Sequence, residues 1–200
     1  WVAADRAVRT MEMGHPGPVE RYRAMRDDIH AEVCERAWND ERQTFTQYFG
    51  SDGLDAALLL LPQVGFLPPD DPRVRGTLRA VQRELTVAGM LRRYDTEVAH
   101  DGVAGDEGAF VACSFWLADA LVLDGQEERG RELFEHLLTL RNDVGLLAEE
   151  YDVALGRQLG NTPQAYSHLA LVNSALVLND VQRERDDPSS ATRLPDRARR

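Results

Sequence analysis

Ala109-Phe110-Val111-Ala112-Cys113-Ser114-Phe115-Trp116-Leu117-Ala118-Asp119-Ala120-Leu121-Val122-Leu123 holds only two polar residues, Ser114 and Asp119. A helix that is apolar on nearly every side must be covered on nearly every side, so this run reads as a buried helix. At 15 residues it is shorter than the roughly 20 needed to cross a bilayer. Leu54 to Leu61 and Ala165 to Leu178 have the same character. Between these runs lie helices with a single apolar stripe. Val19, Tyr22, Met25, Ile29, Val33 and Ala37 fall at steps of three and four, as do Val74, Leu78, Val81 and Leu85. Leu133, Phe134, Leu137 and Leu138 form a third stripe.

The striped helices start near residues 18, 72 and 127 and the apolar ones near 54, 108 and 164, so both series repeat about every 55 residues. That is an alternation of outer and inner helices in hairpins, the apolar members lining the inside. Trp1, Ala4, Val8 and Met11 mark one more inner helix. The predicted fold class is all-α. Links from inner to outer helices are short (Gly65 to Asp71, Asp124-Gly125), whereas the returning links are long: Asn39 to Gly53, Ala88 to Asp106, Asn142 to Thr162. Loops of that length inside a compact domain usually carry function. All three emerge at the end where the inner helices begin, which places the working face there. A domain is expected over residues 1–180, followed by a disordered tail over 181–200 rich in charge, Pro and Ser.

The 200 residues carry a net charge of -11, with 23 basic residues that are all Arg. Nucleic acid and anionic membrane surfaces both demand a basic face and are excluded as partners. Cys34 and Cys113 form neither a metal motif nor a disulfide framework, and reduced thiols in helices fit a cytoplasmic protein. No metal and no other cofactor is expected, because no phosphate loop, dinucleotide fingerprint or His pair at ligand spacing occurs. The chain opens on Trp1 with no charged segment ahead of an apolar one, and reads as trimmed at its start.

Three stretches carry chemistry. Gly145-Leu146-Leu147-Ala148-Glu149-Glu150-Tyr151-Asp152 sets three carboxylates and a ring in a short loop. Around it lie Glu107-Gly108-Ala109-Phe110-Val111-Ala112-Cys113-Ser114-Phe115-Trp116 and Gly156-Arg157-Gln158-Leu159-Gly160-Asn161-Thr162-Pro163-Gln164-Ala165-Tyr166-Ser167-His168. Glycoside hydrolysis needs two carboxyls, one to protonate the leaving oxygen and one to activate water or attack the sugar. Glu149 and Glu150 are adjacent, so they cannot flank one bond together.

In order and content these stretches resemble the C-terminal half of the catalytic barrel of glycoside hydrolase family 15, the glucoamylase and trehalase type. The resemblance implies an (α/α)6 toroid, about half of it in this chain, with an inverting mechanism. Ala148-Glu149-Glu150-Tyr151-Asp152 matches the family motif whose first acid is the general base, here Glu149. Leu91-Arg92-Arg93-Tyr94 matches the Arg-Tyr segment whose Arg binds sugar hydroxyls, a role that falls on Arg93 unless it is an ordinary surface Arg. Tyr166 stands where the family places an aromatic wall of the sugar pocket, or else packs in the core. Glu107 either compensates the dipole of the helix it precedes or hydrogen-bonds sugar. His168 and Trp116 read as structural.

By the same resemblance the general acid lies just upstream of Trp1. The expected function is therefore the base-bearing fragment of an α-glucosidic hydrolase, inactive alone, acting with the other half of its barrel on trehalose or on maltooligosaccharide ends. The alternative is a helical-repeat protein-interaction module, which the long acidic loops disfavour. A sugar epimerase on the same toroid would lean on pocket histidines, of which His168 alone is well placed.

Overall fold

The computed structural model describes residues 1–95 and 108–186. Its helices are α1 (Val2–Glu12), α2 (Val19–Arg36), α3 (Leu60–Gln63, entered through a 3-10 turn at Ala56–Leu59), α4 (Pro72–Leu85), α5 (Val111–Leu123), α6 (Glu127–Thr139) and α7 (Ala165–Asp186). Short strands punctuate them: β1 (Trp38–Asn39), β2 (Thr44–Phe45), β3 (Thr86–Val87), β4 (Met90–Leu91), β5 (Ala109–Phe110), β6 (Glu150–Asp152) and β7 (Arg157–Leu159).

Helix starts follow local chemistry. Asp71 caps α4 by accepting from the backbone N–H of Arg73 at 2.8 Å, with Pro72 in the first helical position. Asp55 does the same for the 3-10 turn, accepting from Ala57 N–H at 2.7 Å. Gly65 and Gly125, both at positive φ, end α3 and α5 and allow the short inner-to-outer links.

The core is built around α5, where eleven of the 13 residues are buried. Its two sides feed two clusters, one with Leu54, Leu59, Leu78, Val81, Leu85 and Leu91, the other with Met90, Leu137, Leu140 and Leu147. Each fully buried aliphatic or aromatic side chain stabilises the fold by about 1.5–3 kcal/mol relative to exposure. Helices α5 and α6 meet at Gly130, where a Cβ would stand 2.5 Å from Val122 Cγ2 and 2.8 Å from the Ala118 carbonyl oxygen. Trp116 packs against both clusters, as the sequence suggests.

Three features depart from the expectation. The long links are not plain loops: β1 pairs with β2, β3 with β4, and β5, β6 and β7 form a three-stranded antiparallel sheet. Strands of two or three residues are too short to leave a period in the sequence. The turn between β3 and β4 has positive φ at both Ala88 and Gly89, the conformation that a two-residue hairpin favours.

The second departure concerns burial. No residue of α2 is fully buried despite its apolar stripe, and Met25 is exposed. Helix α7 buries Ser167, Ala170, Ser174 and Leu178 but exposes Tyr166, Leu169, Val172 and Leu176, so only one of its apolar faces is covered. Third, α7 continues to Asp186, past the expected start of the tail. Residues 187–200 lie outside the described residues.

Candidate active site

Described parts of two long links meet the N-terminal ends of inner helices. Val111 N–H, opening α5, donates to the Glu149 carbonyl at 3.0 Å. Gln164 N–H, just ahead of α7, donates to the Leu147 carbonyl at 3.0 Å, and the Ser167 hydroxyl donates to the Ala148 carbonyl at 2.7 Å. Ala56 N–H, opening the 3-10 turn ahead of α3, donates to the Arg93 carbonyl at 2.7 Å. The backbone at Leu147, Ala148, Glu149 and Arg93 is therefore pinned to rigid helix ends rather than left on a free loop.

Glu149 and Glu150 part company here. Successive residues of extended chain project to opposite sides. The Glu150 carboxylate turns to β5, where its Oε2 accepts from Gly108 N–H at 2.7 Å. There is no room for a side chain at residue 108: a Cβ would lie 2.9 Å from the Tyr151 carbonyl oxygen and 3.2 Å from Glu150 Oε2. The Glu149 carboxylate turns instead to the strand exit after β7. Its Oε2 accepts from Asn161 Nδ2 at 2.9 Å and from Asn161 N–H at 3.3 Å. Glu149 Oε1 carries none of the described hydrogen bonds, and the residue is only half-buried. One oxygen is held and the other is presented, which is the arrangement a proton acceptor requires.

Arg93 sits where the Arg-Tyr segment meets the 3-10 turn that leads into α3. Its side chain is 53% exposed, with Nε 3.7 Å from Asp55 Oδ2 and the guanidinium 5.4 Å from the centre of the Tyr94 ring. Asp55, itself buried, also bridges to Tyr94 through the backbone. Cys113, in the first turn of α5, feels both charged groups; burial first, then the Asp55 carboxylate, pushes its thiol above the usual range. Glu149 is thus tied through its carbonyl to the start of α5, and Arg93 through its own to the 3-10 turn that leads into α3.

Tyr166, one residue into α7, is 71% exposed and is not a core residue. Glu107 lies outside the described residues. His168 has a structural place: Nδ1 lies 2.8 Å from the Gln164 carbonyl, and Nε2 accepts from Leu147 N–H at 3.3 Å. A neutral ring with its proton on Nδ1 satisfies both contacts and ties the Glu149 loop to α7. Among the described residues, no group of three His, Cys, Asp or Glu side chains could hold a metal ion. No helix there is long and apolar enough to cross a membrane.

Two residues that reading by motif did not single out contact the candidate residues: Asp55 lies beside Arg93, and Asn161 bonds to Glu149. Asp55 carries a weak signal, as a cap residue directly before an apolar helix. Asn161 carries none beyond its place in a turn-forming Gly160-Asn161 pair.

The chain is similar to known proteins along most of its length. The family model of Glycosyl hydrolases family 15 matches residues 1–176. A trehalase of Mycolicibacterium smegmatis is 43% identical over 98% of this chain and 29% of its own length. A trehalase of Mycobacterium tuberculosis is 44% identical over 93% of this chain and 27% of its own. One from Thermoplasma volcanium is 38% identical over 90% of this chain and 29% of its own. Among solved structures, a wild-type glycosidase superposes with a TM-score of 0.72 at 21% identity, over 88% of this chain and 49% of that one. A variant glycosidase in complex with glucose superposes with the same score and coverage. The chain spans under a third of the curated relatives it matches and about half of the solved chains.

Proposed function

This chain belongs to the glycosyl hydrolases of family 15, and we propose that it forms the base-bearing part of an inverting hydrolase of α,α-trehalose. The observation that carries the reading is the split between the adjacent acids, with Glu149 held on one oxygen and presented on the other at the mouth of the inner helices. Glu149 takes a proton from a water through Oε1, and the water oxygen attacks the anomeric carbon from the face opposite the leaving group. A carboxylic acid on the far side of the sugar gives its proton to the leaving oxygen as the glycosidic bond breaks. Inverting enzymes hold these two carboxyls roughly 6.5–9.5 Å apart so that the water fits.

The remaining roles follow from position. Arg93, with its guanidinium half in solvent and steadied by Asp55, donates to sugar hydroxyls. Tyr166 offers an exposed ring for the apolar side of a pyranose. Glu107 supplies a further acceptor. The general acid is placed in the part of the barrel that precedes these residues in the full protein, so residues 1–180 act as one half of a catalytic domain and do not turn over substrate alone. The exposed stripe of α7, Leu169, Val172 and Leu176, is then the surface against which the other half packs. The cytoplasm is the proposed location. Trehalose is preferred to maltooligosaccharide as substrate because the relatives named above are trehalases.

The test uses the complete gene product and follows its first products by proton NMR. The expected result is faster glucose release from trehalose than from maltotriose, with α- and β-glucose appearing in equal amounts before mutarotation. Release of α-glucose alone would exclude inversion, and preference for maltotriose would move the substrate to the glucoamylase side.

A further inference from the structure

Between the described cavities, buried polar groups and exposed stripes, the contacts that bind Glu149 to the residues after β7 go furthest beyond the family's motif. We propose that Gly160 and Asn161 are the positioning residues that aim the Glu149 carboxylate at the attacking water; this rests on the assignment of Glu149 as base.

Three observations support it. First, the pair is reciprocal: Glu149 N–H donates to the Asn161 carbonyl at 3.0 Å, while Asn161 N–H and Nδ2 donate to Glu149 Oε2 at 3.3 and 2.9 Å. Backbone and side chain are clamped together, so the carboxylate cannot turn without breaking two bonds on one oxygen. Second, Gly160 leaves the space the carboxylate occupies. A Cβ there would stand 2.9 Å from Glu149 Oε2 and 3.0 Å from Glu149 Cβ, and φ is +73°. A side chain at residue 160 would be strained itself and would push the acid away. Third, Asn161 is exposed and contributes nothing to the apolar core, so packing does not explain its side chain. An amide that fixes Oε2 leaves the lone pairs of Oε1 free for the proton. It also gives the acid one orientation where a solvated carboxylate would sample several. A misplacement of about 1 Å at a reacting group costs up to about 10²-fold in rate, and reacting groups depend on neighbours that lock their geometry.

Asn161→Ala, Asn161→Asp and Gly160→Ala in the complete gene product, with Glu149→Gln beside them, test the proposal on trehalose. Asn161→Ala is expected to lower kcat by about 10–100-fold, with KM within about twofold and an unchanged thermal midpoint, because the amide touches the acid and not the sugar. Asn161→Asp replaces a donor by a like charge, so it is expected to lower kcat further and move the acid limb of the kcat–pH profile upward. Gly160→Ala should resemble Asn161→Ala in its kcat–KM split. Wild-type kcat and pH profile in Asn161→Ala, with Glu149→Gln inactive, overturns the positioning role and leaves the base assignment standing. Loss of activity that merely tracks a fall in thermal midpoint across the Asn161 variants overturns it too. Activity retained in Glu149→Gln would instead remove the base assignment on which the proposal rests.

Discussion

Asp119 lies in the most buried helix of the protein and takes no part in the proposed chemistry. It is 1% exposed, and its Oδ2 makes no hydrogen bond, nor does Nε2 of nearby Gln63. The Ser174 hydroxyl beside it donates to the Phe115 carbonyl at 3.3 Å. Burial therefore dominates over its two neutral polar neighbours, Ser174 and Gln63, and pushes its carboxyl up to about 7. Because this pKa is raised, the folded state holds a proton that the unfolded state has released between about pH 4 and pH 7. Stability must then fall as pH rises through that window and level off above it. A shift of about three units at 1.36 kcal/mol per unit sets a ceiling of about 4 kcal/mol on the loss. Asn matches the neutral acid in shape and does not titrate. Asp119→Asn is therefore expected to equal wild type in urea midpoint near pH 4 and to exceed it increasingly up to pH 8. Comparing the two proteins at each pH cancels every other titrating group. A difference that stays constant from pH 4 to pH 8 would show that Asp119 is charged throughout and would refute the reasoning.

Gly76→Ala would set a Cβ 2.3 Å from the Gln43 carbonyl oxygen, where the β1–β2 hairpin docks on α4; a loss of about 1–3 kcal/mol is expected in urea unfolding, and a neutral effect would contradict that close contact. Asp71→Ala removes the cap of α4 and its bonds to Arg73, with an expected cost of about 1 kcal/mol. The Arg73 guanidinium holds the Asp71 carboxyl below its ordinary value, so this contribution should be full at neutral pH and fade as pH falls into the carboxylate range. A cost independent of acidification would argue against the ion pair. Buried Cys113 should resist a thiol reagent in the native protein at pH 8 while half-buried Cys34 reacts; comparable labelling of both, read by mass spectrometry, would contradict the burial of α5.

The helices were legible because burial imposes a period on them. Starts expected near 18, 72 and 127 fall at Val19, Pro72 and Glu127, and those near 54, 108 and 164 fall at Ala56, Val111 and Ala165. Asp71-Pro72 and Asp124-Gly125 punctuate that pattern with cap chemistry that any reader of the chain can see. The β5–β6–β7 sheet was not legible, since two or three residues show no alternation, yet it is what turns Glu149 and Glu150 to different partners. Nor could a stripe tell which of its faces is covered. Periodicity assigns α2 and α7 apolar faces, but only the packing reveals that Met25, Leu169 and Val172 stay exposed. At the candidate site, the motif points to Glu149, whereas Asn161 is visible only through the reciprocal bonds that a turn brings about.

The claim that matters most is that Glu149, and not its neighbour, is the general base. The direct measurement is single-turnover hydrolysis of trehalose by the complete gene product, comparing Glu149→Gln with Glu150→Gln. Glu149→Gln is expected to lose about 10²–10⁴-fold while sugar binding persists. Glu150→Gln, whose acid is bonded to Gly108, should lose far less. Retained turnover in Glu149→Gln, with activity lost in Glu150→Gln, would contradict the assignment and place the base on the other side of the strand.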